Sequence, residues 1–311
     1  MDPPPLAPGT YRGRFAPSPT GALHFGSLVA AMASYLQARR HQGEWLLRVE
    51  DLDTPREVPG AAAAMLHTLE AFGLYWDGAV QYQSRHHAAY EAALEHLTRG
   101  GHIYPCGCSR REIADTGWDG ADGVVYPGTC RNGLPPRRAE RALRVRTDAA
   151  VIAFQDGLQG ALRVDLERAV GDFVVRRADG PFAYQLAVVV DDAAAGITEV
   201  VRGSDLLYST PRQIHLQHLL GLATPQYLHV PVATDLSGAK LSKSAGAGAL
   251  DWEYPLAGLV RAAAFLGLEP PAEVETSDVA TFWDWAIGHW DPARLPRLRV
   301  RAVDARGRVP R

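Results

Sequence analysis

The chain has 311 residues, 47% of them hydrophobic and 22% charged, with a formal net charge of −3 at pH 7. That composition suits a soluble, core-forming chain and excludes the disordered, fibrous and disulfide-scaffold classes. No apolar run is long enough to span a bilayer, so no membrane partner is expected, and any contact with nucleic acid must come from local basic patches rather than from the overall charge.

Residues 1 to 9, with Pro3, Pro4, Pro5 and Pro8, read as a disordered lead-in. The opening Met-Asp-Pro-Pro-Pro lacks the basic then apolar run of a signal peptide, so the chain is read as cytoplasmic. Residues 11 to 16 can extend as a short strand. Leu28, Val29, Met32, Tyr35 and Leu36 then recur at helical spacing until Arg39, Arg40 and Gly43 close the helix. Between them, Arg14-Phe-Ala-Pro-Ser18-Pro-Thr-Gly21-Ala-Leu-His24-Phe-Gly26 is a strand-to-helix crossing, stiffened by two prolines and turned at Gly21. Gly26 removes a side chain where the first backbone N–H groups of the helix point outward, which suits a phosphate, and His24 stands beside it as a donor. Residues 44 to 49 read as a second buried strand that empties into Glu50-Asp51-Leu52-Asp53. Ligands of open α/β sheets sit beyond the carboxyl ends of strands, so Glu50 and the crossing are expected to face one cleft.

Residues 59 to 72 and 84 to 99 carry helical periodicity, the first with a proline at its first position and the second with Ser84 as cap. From about residue 101 to 180 glycine, proline and arginine rise and periodic signals shorten, which reads as an insertion. All three cysteines fall there, and in a chain with no export signal such clustering points to a metal rather than to disulfides. Cys106, Cys108 and Cys130 are one ligand short of a closed tetrahedral zinc site, and metal chemistry alone leaves the fourth open, with His102 the usual guess. Residues 197 to 202 resume the sheet, Ser209-Thr210-Pro211 caps a helix running to about residue 220, and residues 228 to 234 continue the sheet. A turn at Ser237-Gly238 leads into Lys240-Leu-Ser242-Lys243-Ser244 and a glycine- and alanine-rich loop. The remainder, from Tyr254, reads as mostly helical with an arginine-rich end.

The 32 basic residues comprise 30 arginines and two lysines, both in that last loop. A chain that uses arginine for every generic positive charge keeps lysine where a compact, mobile ammonium is needed, and a triphosphate is the obvious partner. The arginines at 137, 138, 141, 144 and 146 and those from 294 to 311 could meet RNA phosphates through counterion release, but a solvated face fits them equally well.

His24-Phe-Gly26-Ser27 with Lys240 to Ser244 resembles the His-Ile-Gly-His and Lys-Met-Ser-Lys-Ser pair of class I aminoacyl-tRNA synthetases. Arg14 to Gly21, Arg48-Val-Glu50-Asp51-Leu-Asp53, Phe182-Ala-Tyr184-Gln-Leu-Ala, Arg202-Gly203 and Thr210-Pro-Arg-Gln, over roughly residues 10 to 250, resemble the glutamyl-tRNA synthetase catalytic core. The resemblance implies an α/β, Rossmann-like nucleotide-binding fold with an inserted zinc-containing subdomain and a short helical C-terminal region. Its expected divisions are 10–100 and 191–250 for the two catalytic halves, 101–190 for the insertion and 251–311 for the C-terminal region. It also implies roles. Arg14 and Arg202 would pair with the side-chain carboxylate of L-glutamate, Tyr184 would hydrogen-bond it, Glu50 would take the ammonium, and Ser18 would position the amino acid. His24, Gly26 and Lys243, with Lys240 and Ser242, would hold ATP as its Mg²⁺ complex, and no side-chain nucleophile is implied. Shortened members carry Cys-x-Cys and Tyr-x-x-x-Cys, so Tyr126 is the implied fourth ligand of one structural zinc per chain.

Only 67 residues follow Ser244, small against the roughly 100 to 150 residues of a usual domain, so no anticodon-binding domain is expected. The chain thus resembles the glutamyl-queuosine tRNA(Asp) synthetases, which activate glutamate without tRNA and transfer it to queuosine in the anticodon stem-loop of tRNA(Asp). A monomer is expected. Competing readings are a minimal synthetase charging a tRNA 3′ end, another class I-like nucleotidyltransferase, and a catalytically silent tRNA-binding module.

Overall fold

The computed structural model describes residues 10–120, 123–241, 248–304 and 307–309. Ser242 and Lys243 of the lysine loop, and the lead-in at 1–9, lie outside the described residues. Strand β1 (Arg12–Phe15) runs parallel to β2 (Glu44–Val49), with Arg14 opposite Leu46, and β2 runs parallel to the short β3 (Gln81–Tyr82). Helix α1 (Phe25–Arg40) makes the crossover between β1 and β2 and buries Leu28, Met32, Tyr35 and Leu36 against them. Helix α2 (Ala61–Ala71) starts two residues past Pro59, because Gly60 takes a left-handed conformation at φ 79° as the cap residue. Helix α3 (His87–Arg99) starts three residues past Ser84, which is not its cap. Instead, the Ser84 backbone N–H and Oγ both donate to Asp51, at 2.8 and 2.6 Å, and pin that segment to the loop after β2.

The stretch expected to be an insertion contains β4 (Ile103–Cys106), α4 (Arg110–Thr116), β5 (Trp118–Gly120), β6 (Gly123–Val125), β7 (Ala142–Val145), β8 (Val151–Asp156), β9 (Gly160–Asp165), α5 (Leu166–Ala169) and β10 (Phe173–Arg176). Strands β10, β7 and β4 form one antiparallel sheet, whereas the β8–β9 hairpin joins the edge of a second parallel unit. That unit follows helix α6 (Tyr184–Ala194). It consists of β11 (Glu199–Gly203), helix α7 (Thr210–Leu220) and β12 (Gln226–Val230), with β11 and β12 parallel in continuous register. Ser209 stands at the α7 cap position, but its hydroxyl accepts from Gln185 at 3.1 Å rather than capping the helix. The two parallel units meet at β1 and β11, where Thr198 donates its backbone N–H to Arg12 and receives the Arg12 N–H on its hydroxyl, both at 2.9 Å. With β1 packed beside β11, the carboxyl ends of β1, β2, β11 and β12 come to one side, where Phe15, Glu50, Gly203 and Val230 line a common cavity.

Strand β13 (Val232–Thr234) pairs in parallel with β14 (Val300–Ala302), so the arginine-rich end carries a short strand. Helices α8 (Pro255–Leu266) and α10 (Val279–His289) pack over α1, and the short α9 (Ala272–Glu275) packs against both of them. The Trp290 indole donates to Gln37 at 2.7 Å, and Tyr35 and Trp283 meet edge to face at 4.8 Å. This joins the C-terminal helices to the core of the first unit, and each fully buried large side chain contributes about 1.5–3 kcal/mol there. A second core forms around α3, α6 and α7, and a third of only Tyr104, Cys106, Tyr126 and Cys130. Among the described residues no helix is long and apolar enough to cross a membrane.

Candidate active site

The carboxyl ends of β1, β2, β11 and β12 open into a cavity of about 1040 Å³. Its lining brings together Arg14, Ser18, His24, Gly26, Glu50, Tyr184, Arg202 and Lys240, that is, every described residue expected around glutamate and ATP. His24 caps α1, and its Nδ1 accepts the Ser27 N–H at 3.3 Å, so Nε2 carries the proton and is a donor. A Cβ on Gly26 would lie 3.1 Å from His24 Cε1 and 3.3 Å from Nδ1, so a side chain there would press on the imidazole. Lys240 Nζ reaches Asp205 at 2.6 Å across the cavity mouth, and both side chains stay about half exposed.

Beneath one wall lies a buried charge cluster. Arg14 donates Nε and Nη2 to Asp192 at 3.1 and 3.2 Å, Arg48 donates Nη1 to the same carboxylate at 2.7 Å, and Arg48 Nη2 lies 3.5 Å from Glu50. Asp191, 3.8 Å from Arg48 Nε, receives Gln83 and Tyr90, each at 2.8 Å, and His86 Nδ1 lies 2.8 Å from it. Among the described residues the cluster thus sets two guanidiniums against three carboxylates. Burial alone would raise Asp192, but Arg14 and Arg48 hold it below the usual carboxylate range. Glu50 is left over. Burial pushes it up to about 7, with Asp192 and Asp191 adding to the rise and Arg48 and Arg14 failing to reverse it.

The opposite wall carries Arg202, 5% exposed, with Nη1 donating to the Tyr184 hydroxyl at 3.4 Å. Arg56 and Arg177, both ion-paired to Asp53, reach the same cavity. Of the acidic turn after β2, Glu50 and Asp53 line the cavity while Asp51 turns away to Ser84. Sequence reasoning singled out neither Asp191, Asp192 nor His229. Two acids closing the apolar run Leu186-Ala-Val-Val-Val190, and a histidine between Leu228 and Val230 in a buried strand, are the signals that could have found them.

A second cluster lies in the β4 region, where the sulfurs of Cys106, Cys108 and Cys130 lie within 4.8 Å of one another. Cys108 and Cys130 are 3.6 Å apart, close to the roughly 3.8 Å edge of a tetrahedron with 2.3 Å zinc–sulfur bonds. The Tyr126 oxygen lies 3.4 Å from Cys106 Sγ and 3.7 Å from Cys108 Sγ, and accepts the Cys130 N–H at 2.8 Å. Arg144 lies 3.9 Å over the Tyr126 ring, and Arg138 reaches Cys108 Sγ at 3.5 Å, so two cations face a donor set that would carry excess negative charge. The three sulfurs could hold one metal ion such as zinc, with the Tyr126 oxygen beside them, and His102 is not among the groups gathered there. Arg138, Arg144 and Arg146 are engaged in internal contacts rather than forming an open basic face.

A parallel sheet with a His-x-Gly helix start, a lysine at the cavity mouth and a wall of acids and arginines fits a class I synthetase catalytic core. A family profile described as tRNA synthetases class I (E and Q), catalytic domain, matches residues 10–281. A glutamyl-Q tRNA(Asp) synthetase of Dechloromonas aromatica is 57% identical over 297 residues, covering 95% of this chain and 99% of that one. Another, of Geobacter sulfurreducens, is 54% identical, covering 91% and 93%. In fold, a glutamate-tRNA synthetase of Elizabethkingia anophelis superposes with a TM-score of 0.78 at 23% identity, over 96% of this chain and 69% of that one. The chain belongs to the glutamyl-Q tRNA(Asp) synthetase family, and it is a ligase-type enzyme of the class I aminoacyl-tRNA synthetase kind.

Proposed function

We propose that the enzyme activates L-glutamate with Mg²⁺-ATP in the absence of tRNA and then transfers it to the queuosine base in the anticodon of tRNA(Asp). The observation that carries the first half is the unmatched carboxylate of Glu50. A cluster of two guanidiniums and three carboxylates, open on Glu50's side to a cavity that also holds Arg202, is completed by a ligand with an ammonium at one end and a carboxylate at the other. Glu50 takes the α-ammonium. Arg202, Arg14 and Tyr184 take the side-chain carboxylate, where a guanidinium offers only donors and the amide N–H₂ of glutamine finds no acceptor. Ser18 borders the same space.

The α-carboxylate, left free, attacks the α-phosphorus of ATP in line; the new C–O–P bond forms as the bond to pyrophosphate breaks. His24 donates from Nε2, the first N–H groups of α1 near Gly26 would meet the phosphates, and Lys240 and Lys243 neutralise the charge that builds on the leaving group, with Ser242 as a hydroxyl donor. An acceptor hydroxyl then attacks the glutamyl carbonyl and AMP departs. The name borne by the relatives supports queuosine as the acceptor. One zinc held by Cys106, Cys108, Tyr126 and Cys130 would supply a cross-link to a subdomain whose own core is four side chains.

The test is to incubate the protein with labelled glutamate, ATP and Mg²⁺, using tRNA from cells that make queuosine and from cells that cannot, and to map the label by nuclease digestion. Label in the anticodon fragment of queuosine-containing tRNA(Asp) is expected. Label on a 3′-terminal adenosine, independent of queuosine, would replace this reading with a reduced aminoacylating synthetase.

A further inference from the structure

Behind Arg202 the structure holds a polar chain that the proposed reaction leaves without a task. Asp156 closes strand β8 and His229 lies on β12, and both side chains are 0% exposed. The Asp156 Oδ1 accepts three backbone N–H groups, from Leu158 at 3.0 Å, Gln159 at 2.8 Å and His229 at 3.2 Å. Its Oδ2 meets His229 Nδ1 at 2.6 Å. On the far side of the ring Nε2 faces Arg202 Nε at 3.0 Å and the Thr210 hydroxyl at 3.2 Å. An arginine Nε can only donate, so Nε2 must accept and Nδ1 must carry the proton toward Asp156. Burial pushes His229 down to about 4, so the ring is neutral.

Arg202 has five N–H groups. Nε goes to His229, Nη2 goes to Thr210 at 2.8 Å and to the Leu206 carbonyl at 3.4 Å, and one Nη1 hydrogen goes to Tyr184 at 3.4 Å. Four are thus used in holding the group, and one on Nη1 remains for a ligand. A fully buried acid–imidazole pair is no gain over an apolar pair of the same volume, so its position behind this arginine calls for a role in the pocket.

We propose that Asp156 and His229 are positioning residues: the carboxylate fixes the imidazole tautomer, and the imidazole holds the Arg202 guanidinium in the one plane that reads a side-chain carboxylate and refuses an amide. This rests on the reading that Arg202 binds the glutamate side chain.

The test is glutamate-dependent ATP–pyrophosphate exchange with Asp156→Asn, His229→Gln, His229→Asn and Arg202→Ala. In Asp156→Asn the three backbone donors keep the amide oxygen at the Oδ1 position, so the N–H₂ faces Nδ1. The ring is driven to the other tautomer, and two donors then meet at Arg202. The expected result is a rise in KM for glutamate of roughly 10- to 100-fold, with KM for ATP within about twofold and a reduced preference for glutamate over glutamine. His229→Gln places an amide oxygen where Nε2 was and retains most of the wild-type KM for glutamate, whereas His229→Asn, too short to reach Arg202, does not. An unchanged KM for glutamate in Asp156→Asn, equal impairment of the two His229 variants, or a parallel rise in KM for ATP would overturn the proposal. Should Asp156→Asn not fold, the His229 pair decides by the same criterion. Arg202→Ala separates the layers: if it binds glutamate normally, the assignment of Arg202 itself fails; if it loses glutamate while the other variants do not, only the positioning role fails.

Discussion

Replacing Glu50 by glutamine removes the one carboxylate that the buried cluster does not match. Glu50 ionises at 4.5 in an open chain and at about 7 in the fold, so between those values the folded state holds a proton that the unfolded state has released. The sign follows: this group opposes folding increasingly as pH rises from 4.5, and the opposition is complete above 7. The interval of about 2.5 units at 1.36 kcal/mol per unit gives about 3 kcal/mol. Among the described residues the one side-chain bond of Glu50 is the long Arg48 contact at 3.5 Å, which a glutamine oxygen can still accept. Glu50→Gln without substrate is therefore expected to be more stable than the parent at pH 8, by up to about 3 kcal/mol or about 5 °C in melting temperature, with the gain vanishing near pH 5. Its response to glutamate should be lost, because no charge remains for the ammonium. Melting curves of both proteins from pH 5 to 8.5, with and without 10 mM-range glutamate, make the measurement. A variant that melts below the parent at pH 8, or by a margin that does not change with pH, would show that Glu50 is matched by charges and that the count of the cluster is wrong.

Three further outcomes are expected. His24→Ala and Lys243→Ala should each lower exchange, His24→Ala by roughly 10²- to 10³-fold as for loss of a transition-state donor and Lys243→Ala to background; an unchanged rate in either removes that residue from the ATP wall. Lys240→Ala breaks a half-exposed ion pair, so melting should shift by less than the equivalent of about 1 kcal/mol while KM for ATP rises; the reverse pattern would make the pair structural. Cys130→Ser, or chelation of the parent, should release one zinc per chain in a colorimetric metal assay and loosen proteolytic protection of residues 101–150 before that of the sheet; a full complement of zinc in the variant would remove Cys130 from the ligand set.

The parts of the site legible in the sequence were those carried by local pattern. The crossing from Arg14 to Gly26 shows its glycine, its histidine and its helix start in one run, and the acid of Glu50 follows directly on a strand. Arg48, Asp191 and Asp192 meet through the packing of β2 on α6, 144 residues apart in the Arg48–Asp192 bond, and nothing local reports that two acids at the end of an apolar helix turn inward. The β8–β9 hairpin shares the glycine-rich composition of the stretch around it, so composition does not set it apart; its pairing through Asp156 and Tyr227 places it beside β12. Ser84 failed as a cap for the same reason, since its partner Asp51 is 33 residues away rather than in the next turn.

The two arginines that face the cavity are tied down by different devices, and the difference predicts different losses. Arg14 shares a buried carboxylate directly, through a two-pronged contact at 3.1 and 3.2 Å, so much of its field is cancelled at the source. Arg202 is held by a neutral imidazole and two hydroxyls, with the charge of Asp156 displaced to the far side of the ring, and it keeps its field for a ligand. Lysine preserves the charge but loses the fork in either case. Arg14→Lys should thus lower stability, by roughly 2–3 kcal/mol for a weakened buried pair, with a modest change in KM for glutamate. Arg202→Lys should melt closer to the parent and lose glutamate affinity more severely. Unfolding in urea and exchange kinetics on the two variants distinguish them. If Arg14→Lys proved the worse binder and the more stable fold, the division of labour between a structural and a ligand-reading arginine would be inverted.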